Sequence, residues 1–193
     1  MSLRPATVAD LPAIMDLERR SFPTDAWSEA TMGTELTSAH TFYLVDEDDD
    51  RIVGYGGLRA LRGGADADIQ TIALDASFRG RGRGRALLRA LIAEAVARKA
   101  KELFLEVRAD NPVAERLYNS EGFAELGRRP RYYQPDDVDA VVMRLDLRTW
   151  NAGKPPAAQE NARPAGEDPQ VDPAERAISV ESREDDAARE GRT

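Results

Sequence analysis

The sequence contains no cysteine and a single histidine, His40. The lack of cysteine excludes disulfides, thiolate metal ligands and a cysteine nucleophile. A Ser-His-Asp triad or a metal site with several histidines would have to depend on His40, for which a position in a surface loop is the simpler interpretation. The sequence therefore gives no indication of a metal cofactor.

Long apolar runs and an excess of positive charge are also missing. No apolar stretch approaches the roughly 20 residues that cross a bilayer, and the first residues lack the apolar core of a signal peptide. Acidic residues outnumber basic ones by 35 to 27, for a net charge of −8, which argues against non-specific nucleic-acid binding. We therefore expect a cytoplasmic protein that binds no membrane and does not bind nucleic acid directly.

The composition changes after Arg148. Proline, alanine and charged residues dominate from there on, and large apolar side chains nearly vanish. Such a segment buries too little apolar surface to offset the entropy lost on ordering. We predict one folded domain over residues 1–148 and a disordered, acidic, Pro/Ala-rich tail over residues 149–193.

Strand patterns and helical patterns follow one another within the predicted domain. The strands Thr41–Val45 and Ile52–Leu61 read as a hairpin, and the acidic run Asp46–Asp50 between them is interpreted as its solvated turn. Apolar residues at helical spacing predict a helix from about Arg85 to Lys99. A strand before this helix and another at Leu103–Val107 after it indicate a right-handed βαβ unit.

The end of the domain is predicted to be an antiparallel pair. Its strands are Phe123–Leu126 and Ala140–Leu147, with a long polar and aromatic loop over residues 127–139 between them. Together with the βαβ unit, this pair predicts an α/β domain with a mixed central sheet.

Glycine and arginine alternate between the first strand of the βαβ unit and its helix, from Arg79 through Gly80, Arg81, Gly82, Arg83 and Gly84 to Arg85. Glycines leave backbone N–H groups accessible, and a helix N-terminus adds partial positive charge. The loop is therefore a candidate seat for a phosphate or pyrophosphate. A flexible, solvated basic turn is the alternative interpretation.

Two polar side chains stand in apolar surroundings. Glu106 shares a strand face with Phe104 and Arg108, so it either pairs with Arg108 or serves a function, and the residues alone leave both open. Tyr118 lies on a helix that begins at Asn111 and Pro112, which are typical capping and first-turn residues. A tyrosine in that place is more typical of a core than of a catalytic site.

Several of these segments resemble known acetyltransferases. Arg-x-x-Gly-x-Gly at 79–84, after an Ile-Ala-Leu strand, resembles the acetyl-CoA loop of the GNAT superfamily of N-acetyltransferases. Residues 105–111 and 114–123 resemble the bacterial ribosomal-protein-alanine N-acetyltransferases, the RimI family. The further segments of that resemblance are Phe22, Trp27, Ser28 and the Tyr132-Tyr133 pair. It covers about residues 2–148, and the tail lies outside it.

The resemblance implies a fold, a reaction and a set of roles. The fold would be a mixed, mostly antiparallel central sheet flanked by helices, with one parallel βαβ unit forming the acetyl-CoA cleft. Glu106 would be the general base, Tyr118 the general acid, and Tyr132 and Tyr133 would bind substrate. The residues implied for acetyl-CoA are Ile72, Ala73, Leu74, Arg79, Gly80, Arg81, Gly82, Arg83, Gly84, Arg85 and Asn111.

The implied reaction transfers an acetyl group from acetyl-CoA, without a metal, to a protein N-terminus. The expected target is the N-terminal alanine of small-subunit ribosomal protein S-18. A GNAT enzyme acting on another amine, such as another protein N-terminus, a lysine or a small molecule, stays open. A dinucleotide-binding enzyme fits less well, because the glycine spacing differs from Gly-x-Gly-x-x-Gly. An RNA-binding module is disfavoured by the acidic body.

Overall fold

The computed structural model describes residues 2–61 and 63–150. The segment predicted as a tail lies outside the described residues, apart from Thr149 and Trp150. The strands are β1 (Ser2–Pro5), β2 (Thr41–Asp48), β3 (Arg51–Ala60), β4 (Asp66–Leu74), β5 (Glu102–Arg108), β6 (Ala124–Tyr133) and β7 (Val138–Asp146). The helices are α1 (Leu11–Ser21), α2 (Glu29–Thr37), α3 (Arg83–Ala97) and α4 (Pro112–Ser120).

The seven strands form one sheet in the order β1-β2-β3-β4-β5-β7-β6. Each neighbouring pair is antiparallel except β4 and β5, which are parallel and joined through α3. This arrangement confirms the predicted α/β class with a mostly antiparallel sheet and one βαβ unit. It is not the doubly wound parallel sheet of a dinucleotide-binding domain.

Helices cover both faces of the sheet. Side chains alternate between these faces along each strand, so one strand contributes to two buried clusters. Tyr43 and Val45 of β2 pack with α1 and α2 in one buried cluster, whereas Leu44 between them belongs to the cluster that surrounds α3. The α3 side of the core continues to Leu147, and Trp150 packs against it. None of the helices within residues 2–61 and 63–150 is long and apolar enough to cross a membrane.

Local sequence signals set several boundaries. Ser28 caps α2, with its side chain accepting a hydrogen bond from the backbone N–H of Thr31 at 3.1 Å. Asn111 caps α4 in the same way, through Ala114 N–H at 3.1 Å. His40 is exposed, in agreement with its interpretation as a surface residue.

Two predicted segments differ from the structure. The predicted loop 127–139 is wrong for most of its length, because β6 continues to Tyr133 and leaves only residues 134–137 as the connection to β7. The acidic run is also not a solvated turn throughout. Asp46 is fully buried within β2, and only Asp49 and Asp50 form the turn, with positive φ angles of 48° and 59°.

Candidate active site

The strands β4 and β5 part at their carboxyl ends. Their parallel pairing runs from Asp66↔Glu102 to Ile69↔Leu105 and goes no further. Beyond that point β4 stays paired with β3 as far as Leu74, while β5 stays paired with β7 as far as Arg108. The sheet therefore opens into a cleft bounded by Ile72, Ala73 and Leu74 on one side and by the end of β5 on the other.

The glycine loop lies at the head of α3, on the chain just beyond this edge of β4. Gly80 and Gly82 have φ angles of +75° and +81°, and Gly82 is the residue that caps α3. Glycine adopts this left-handed conformation more readily than any residue with a Cβ. The first-turn N–H groups of a helix have no acceptor within the helix, so this loop can bind an anion through its backbone.

The arginine side chains of the loop point to different partners. Arg83 is buried and bridges two carboxylates of β2, with Nε 2.7 Å from Asp46 Oδ2 and Nη1 2.8 Å from Asp48 Oδ1. Arg85 pairs with Glu121, which also contacts Arg89 at 2.8 Å. These contacts fix α3 to β2 and to the end of α4. Arg79 and Arg81 are exposed and carry the positive charge of the loop.

Glu106 sits near the end of β5 and is partly accessible. Its Oε1 lies 2.9 Å from Nη1 of Arg129, which comes from β6, two strands away. Arg108, the predicted structural partner, instead contacts Asp110 at 2.9 Å and Asp136 at 3.0 Å. The alternative pairing of Glu106 with Arg108 is therefore wrong, and Arg129 is a site residue that sequence reasoning missed.

Tyr118 is held on α4, which follows β5 directly. Its ring packs edge-on against Phe123, with 5.9 Å between ring centroids, and against the core around α3. Burial raises the pKa of Tyr118 to about 12. The phenol therefore stays protonated at neutral pH and can donate its proton. A Cβ atom added at Gly84 would lie 3.9 Å from Leu117 Cδ2, so α4 passes beside the start of α3.

The two tyrosines implied for substrate binding lie at the end of β6. Their rings meet edge-on with 5.1 Å between centroids, and Tyr133 is buried whereas Tyr132 is partly exposed. Arg129 stacks over Tyr132 and Arg108 over Tyr133, at 5.5 Å and 5.2 Å from the ring centroids. The connection that follows reaches the segment between α1 and α2, where Thr24 Oγ1 donates to Asp136 Oδ2 at 3.3 Å.

A buried polar group beneath this segment was also missed. Glu18, on the apolar face of α1, accepts a hydrogen bond from the backbone N–H of Trp27 at 3.0 Å and another from the Tyr55 hydroxyl. Burial and the Glu18 carboxylate raise the pKa of Tyr55 well above its ordinary value. The signal was present in the sequence, since Glu18 is one helical turn from Ile14.

The chemistry available in the cleft is acid–base chemistry beside an anion seat. A carboxylate and a neutral phenol lie on consecutive elements, and a glycine loop precedes α3. Within residues 2–61 and 63–150, no group of three or more His, Asp or Glu side chains is placed to hold a metal ion.

Comparisons with known proteins identify the same architecture. A model of the acetyltransferase (GNAT) family matches residues 11–123. The chain is 38% identical over 143 residues to the N-alpha-acetyltransferase RimI of Mycobacterium tuberculosis, covering 72% of this chain and 89% of the relative. It is 34% identical over 142 residues to the ribosomal protein bS18-alanine N-acetyltransferase of Escherichia coli, covering 72% and 92%.

Longer relatives and solved structures match as well. The chain is 38% identical over 145 residues to the uncharacterized protein ML0378 of Mycobacterium leprae, of which it spans only 40%. The crystal structure of the ribosomal-protein-S18-alanine N-acetyltransferase of Escherichia coli matches with a TM-score of 0.69 and 31% identity. That match covers 76% of this chain and 93% of that one. The family resemblance and the fold predicted from the sequence are thus confirmed.

Proposed function

Because the chain belongs to the GNAT family of acetyltransferases, we propose that it moves the acetyl group of acetyl-CoA to the N-terminal amine of a protein. The substrate we propose is the N-terminal alanine of ribosomal protein bS18. The names of the relatives from Escherichia coli and Bacillus subtilis, at 34% and 32% identity, support this choice. A ribosomal substrate would place the enzyme in the cytoplasm.

The observation that carries the proposal is the parting of β4 and β5 after Ile69 and Leu105. It leaves the edge of β4 facing β5 available for the amide groups of a pantetheine arm. The glycine loop at Gly80–Gly82 is suited to the pyrophosphate, because its left-handed backbone and the helix that follows present N–H groups to an anion. Arg79 and Arg81 supply positive charge there. Asn111 is proposed to hold acetyl-CoA near its reacting end.

The proposed base and the proposed acid each take part in one proton transfer of the reaction. An N-terminal ammonium, with a pKa near 8, first loses a proton to Glu106, either directly or through one water. The neutral amine attacks the thioester carbonyl carbon, a C–N bond forms and the C–S bond breaks. The nitrogen gives up its second proton to solvent water as the amide forms. Tyr118 donates its proton to the departing thiolate and is protonated again from solvent; its raised pKa keeps the phenol protonated at neutral pH.

Tyr132, Tyr133 and the connection after them are proposed to receive the peptide. They are linked to Glu106 by Arg129, which stacks over the Tyr132 ring. The connection after β6 contacts the segment that contains Phe22 and Trp27 through the Thr24–Asp136 hydrogen bond. A peptide held there would present its N-terminus to the base.

The test is acetylation of a peptide with the first residues of bS18, starting at alanine, by the full chain with acetyl-CoA. Fragment mass spectrometry should locate one acetyl group on the α-amine. The control is the same peptide with a blocked N-terminus and an added internal lysine, which should stay unmodified. Acetylation of the lysine but not of the α-amine would reject an N-terminal substrate in favour of another amine.

A further inference from the structure

Arg129 is the residue that touches the proposed base, and it is itself held from a second side. Its Nη1 contacts Glu106 Oε1 at 2.9 Å, and its guanidinium carbon lies 5.5 Å from the centroid of the Tyr132 ring. Tyr132 in turn packs on the buried Tyr133. A cation over an aromatic face is attracted by the ring quadrupole, so the two contacts together restrict the guanidinium.

We propose that Arg129 is a positioning residue that holds the Glu106 carboxylate in the orientation needed to accept the amine proton. This inference rests on the proposed function, because it assumes that Glu106 is the base. The contact uses Oε1, so the other oxygen, Oε2, keeps its lone pairs for the amine or for a bridging water. A free glutamate on a strand end would sample several rotamers, most of which direct the carboxylate away from the substrate.

The sheet itself explains why an arginine is required. Glu106 pairs with Val142 on β7, and Arg129 pairs with Ala140 on the other side of β7. Because positions 140 and 142 share a strand face, the two side chains lie on the same face of the sheet with β7 between them. Strands are about 4.8 Å apart, so the contact crosses roughly 9.6 Å of sheet. Only a long side chain makes that span.

A merely structural role predicts a different outcome. The Glu106 and Arg129 side chains are 27% and 35% exposed, and ion pairs with such exposure contribute little to stability. Removing Arg129 should therefore leave a folded protein. A loss of turnover in that variant would report on the position of Glu106 and not on unfolding.

The contacts of Arg129 also reach the proposed peptide site. From Tyr133 they continue through Arg108 to Asp136, which meets Thr24. The base and the two segments that would hold the peptide are thus joined by direct contacts. A peptide that orders these segments would steady Arg129, and through it Glu106, so the expected defect of an Arg129 variant is in kcat.

The experiment compares Arg129→Gln and Arg129→Lys with the matched control Arg128→Gln. Arg128 is the neighbouring residue on β6, and its 2.9 Å ion pair is with Glu125, away from the proposed base. We expect Arg129→Gln to lower kcat on the alanine-starting peptide by about 10- to 100-fold, the effect of a displaced catalytic group. The KM for acetyl-CoA and the melting temperature should match those of Arg128→Gln, and Arg129→Lys should recover part of kcat.

A double-mutant cycle with Glu106→Gln identifies the route of the effect. If Arg129 acts through Glu106, adding Arg129→Gln to Glu106→Gln should cost no further activity. An equal loss in both backgrounds, or normal kcat in Arg129→Gln, would overturn the inference. Normal turnover in Glu106→Gln itself would instead reject Glu106 as the base, so the failure of the proposed mechanism is distinguishable from the failure of this inference.

Discussion

The buried ion pair beneath the glycine loop allows a stability prediction with a defined size. Asp46 is fully buried, and Arg83 contacts it through Nε at 2.7 Å and through Nη2 at 3.1 Å. Its hydrogen bonds to Asp46 and Asp48 raise the pKa of Arg83 above its ordinary value, so its charge is permanent. The change Asp46→Asn keeps the shape of the side chain and removes the charge that neutralises this cation.

Breaking a buried pair on one side costs about 3–5 kcal/mol. Arg83 keeps Asp48 at 2.8 Å and the carbonyl of Glu47 at 3.0 Å, so the low end, about 3 kcal/mol, is expected. For a chain of this size each kcal/mol lowers Tm by about 2–4 °C, which gives a decrease of about 6–12 °C. Differential scanning calorimetry measures it.

The matched control is Asp50→Asn in the same acidic run. Asp50 is exposed and has a φ of 59°, a conformation that asparagine tolerates. Its Tm should stay near that of the parent protein. The pair is coupled, so Arg83→Met should cost less in the Asp46→Asn background than alone. A Tm for Asp46→Asn equal to that of Asp50→Asn would refute the reasoning.

The remaining predictions concern the cleft and the end of the chain. Glu106→Gln and Tyr118→Phe should each slow acetylation about 10²–10⁴-fold, and raising the pH towards about 9 should partly rescue Glu106→Gln and help Tyr118→Phe less, because the amine is then already neutral. Ultraviolet titration should show that the tyrosine lost in Tyr118→Phe is one that ionises near pH 12; loss of a tyrosine that ionises near the ordinary value of about 10 would contradict the assignment. Gly82→Val should abolish acetyl-CoA binding in calorimetry, whereas Gly63→Ala, which has a similar φ of +80° outside the cleft, should not. Deleting residues 151–193 should leave Tm and turnover nearly unchanged because their composition is poor in large apolar residues, and a clear drop in Tm would show that this segment contributes to the stability of the folded domain.

The elements that the sequence predicted well are those with local signals. The hydrophobic periodicity of α3, the cap at Asn111 and the strands around the βαβ unit all depend on residues close together in the chain. Even so, α3 begins at Arg83 and not at Arg85, because the left-handed Gly82 and not the last glycine ends the loop. The helix can include Gly84, whose conformation is not left-handed.

The extension of β6 could not be predicted from local pattern. Arg128, Arg129, Pro130 and Arg131 interrupt the alternation of apolar and polar residues that marks a half-buried strand. The strand is nevertheless stable as the edge of the sheet, where charged residues and proline are tolerated because one side has no further partner. Pairing with β7 holds an edge strand of this kind. The first residues of β6 pair with the last residues of β7, which are distant from them in sequence.

The same distance explains what was missed at the site. The hypothesis that Glu106 pairs with Arg108 followed from their shared strand face. Charged side chains on neighbouring strands can, however, pair with either residue instead. In this sheet Arg108 is drawn to the turn after β5 and to the connection after β6, by Asp110 and Asp136. Glu106 is left to Arg129, whose reach across β7 depends on the register of two strand pairs. A one-residue slip of β6 would place Arg129 on the opposite face. The partner of the proposed base is therefore a consequence of sheet register, which the local pattern of charges on β5 does not contain.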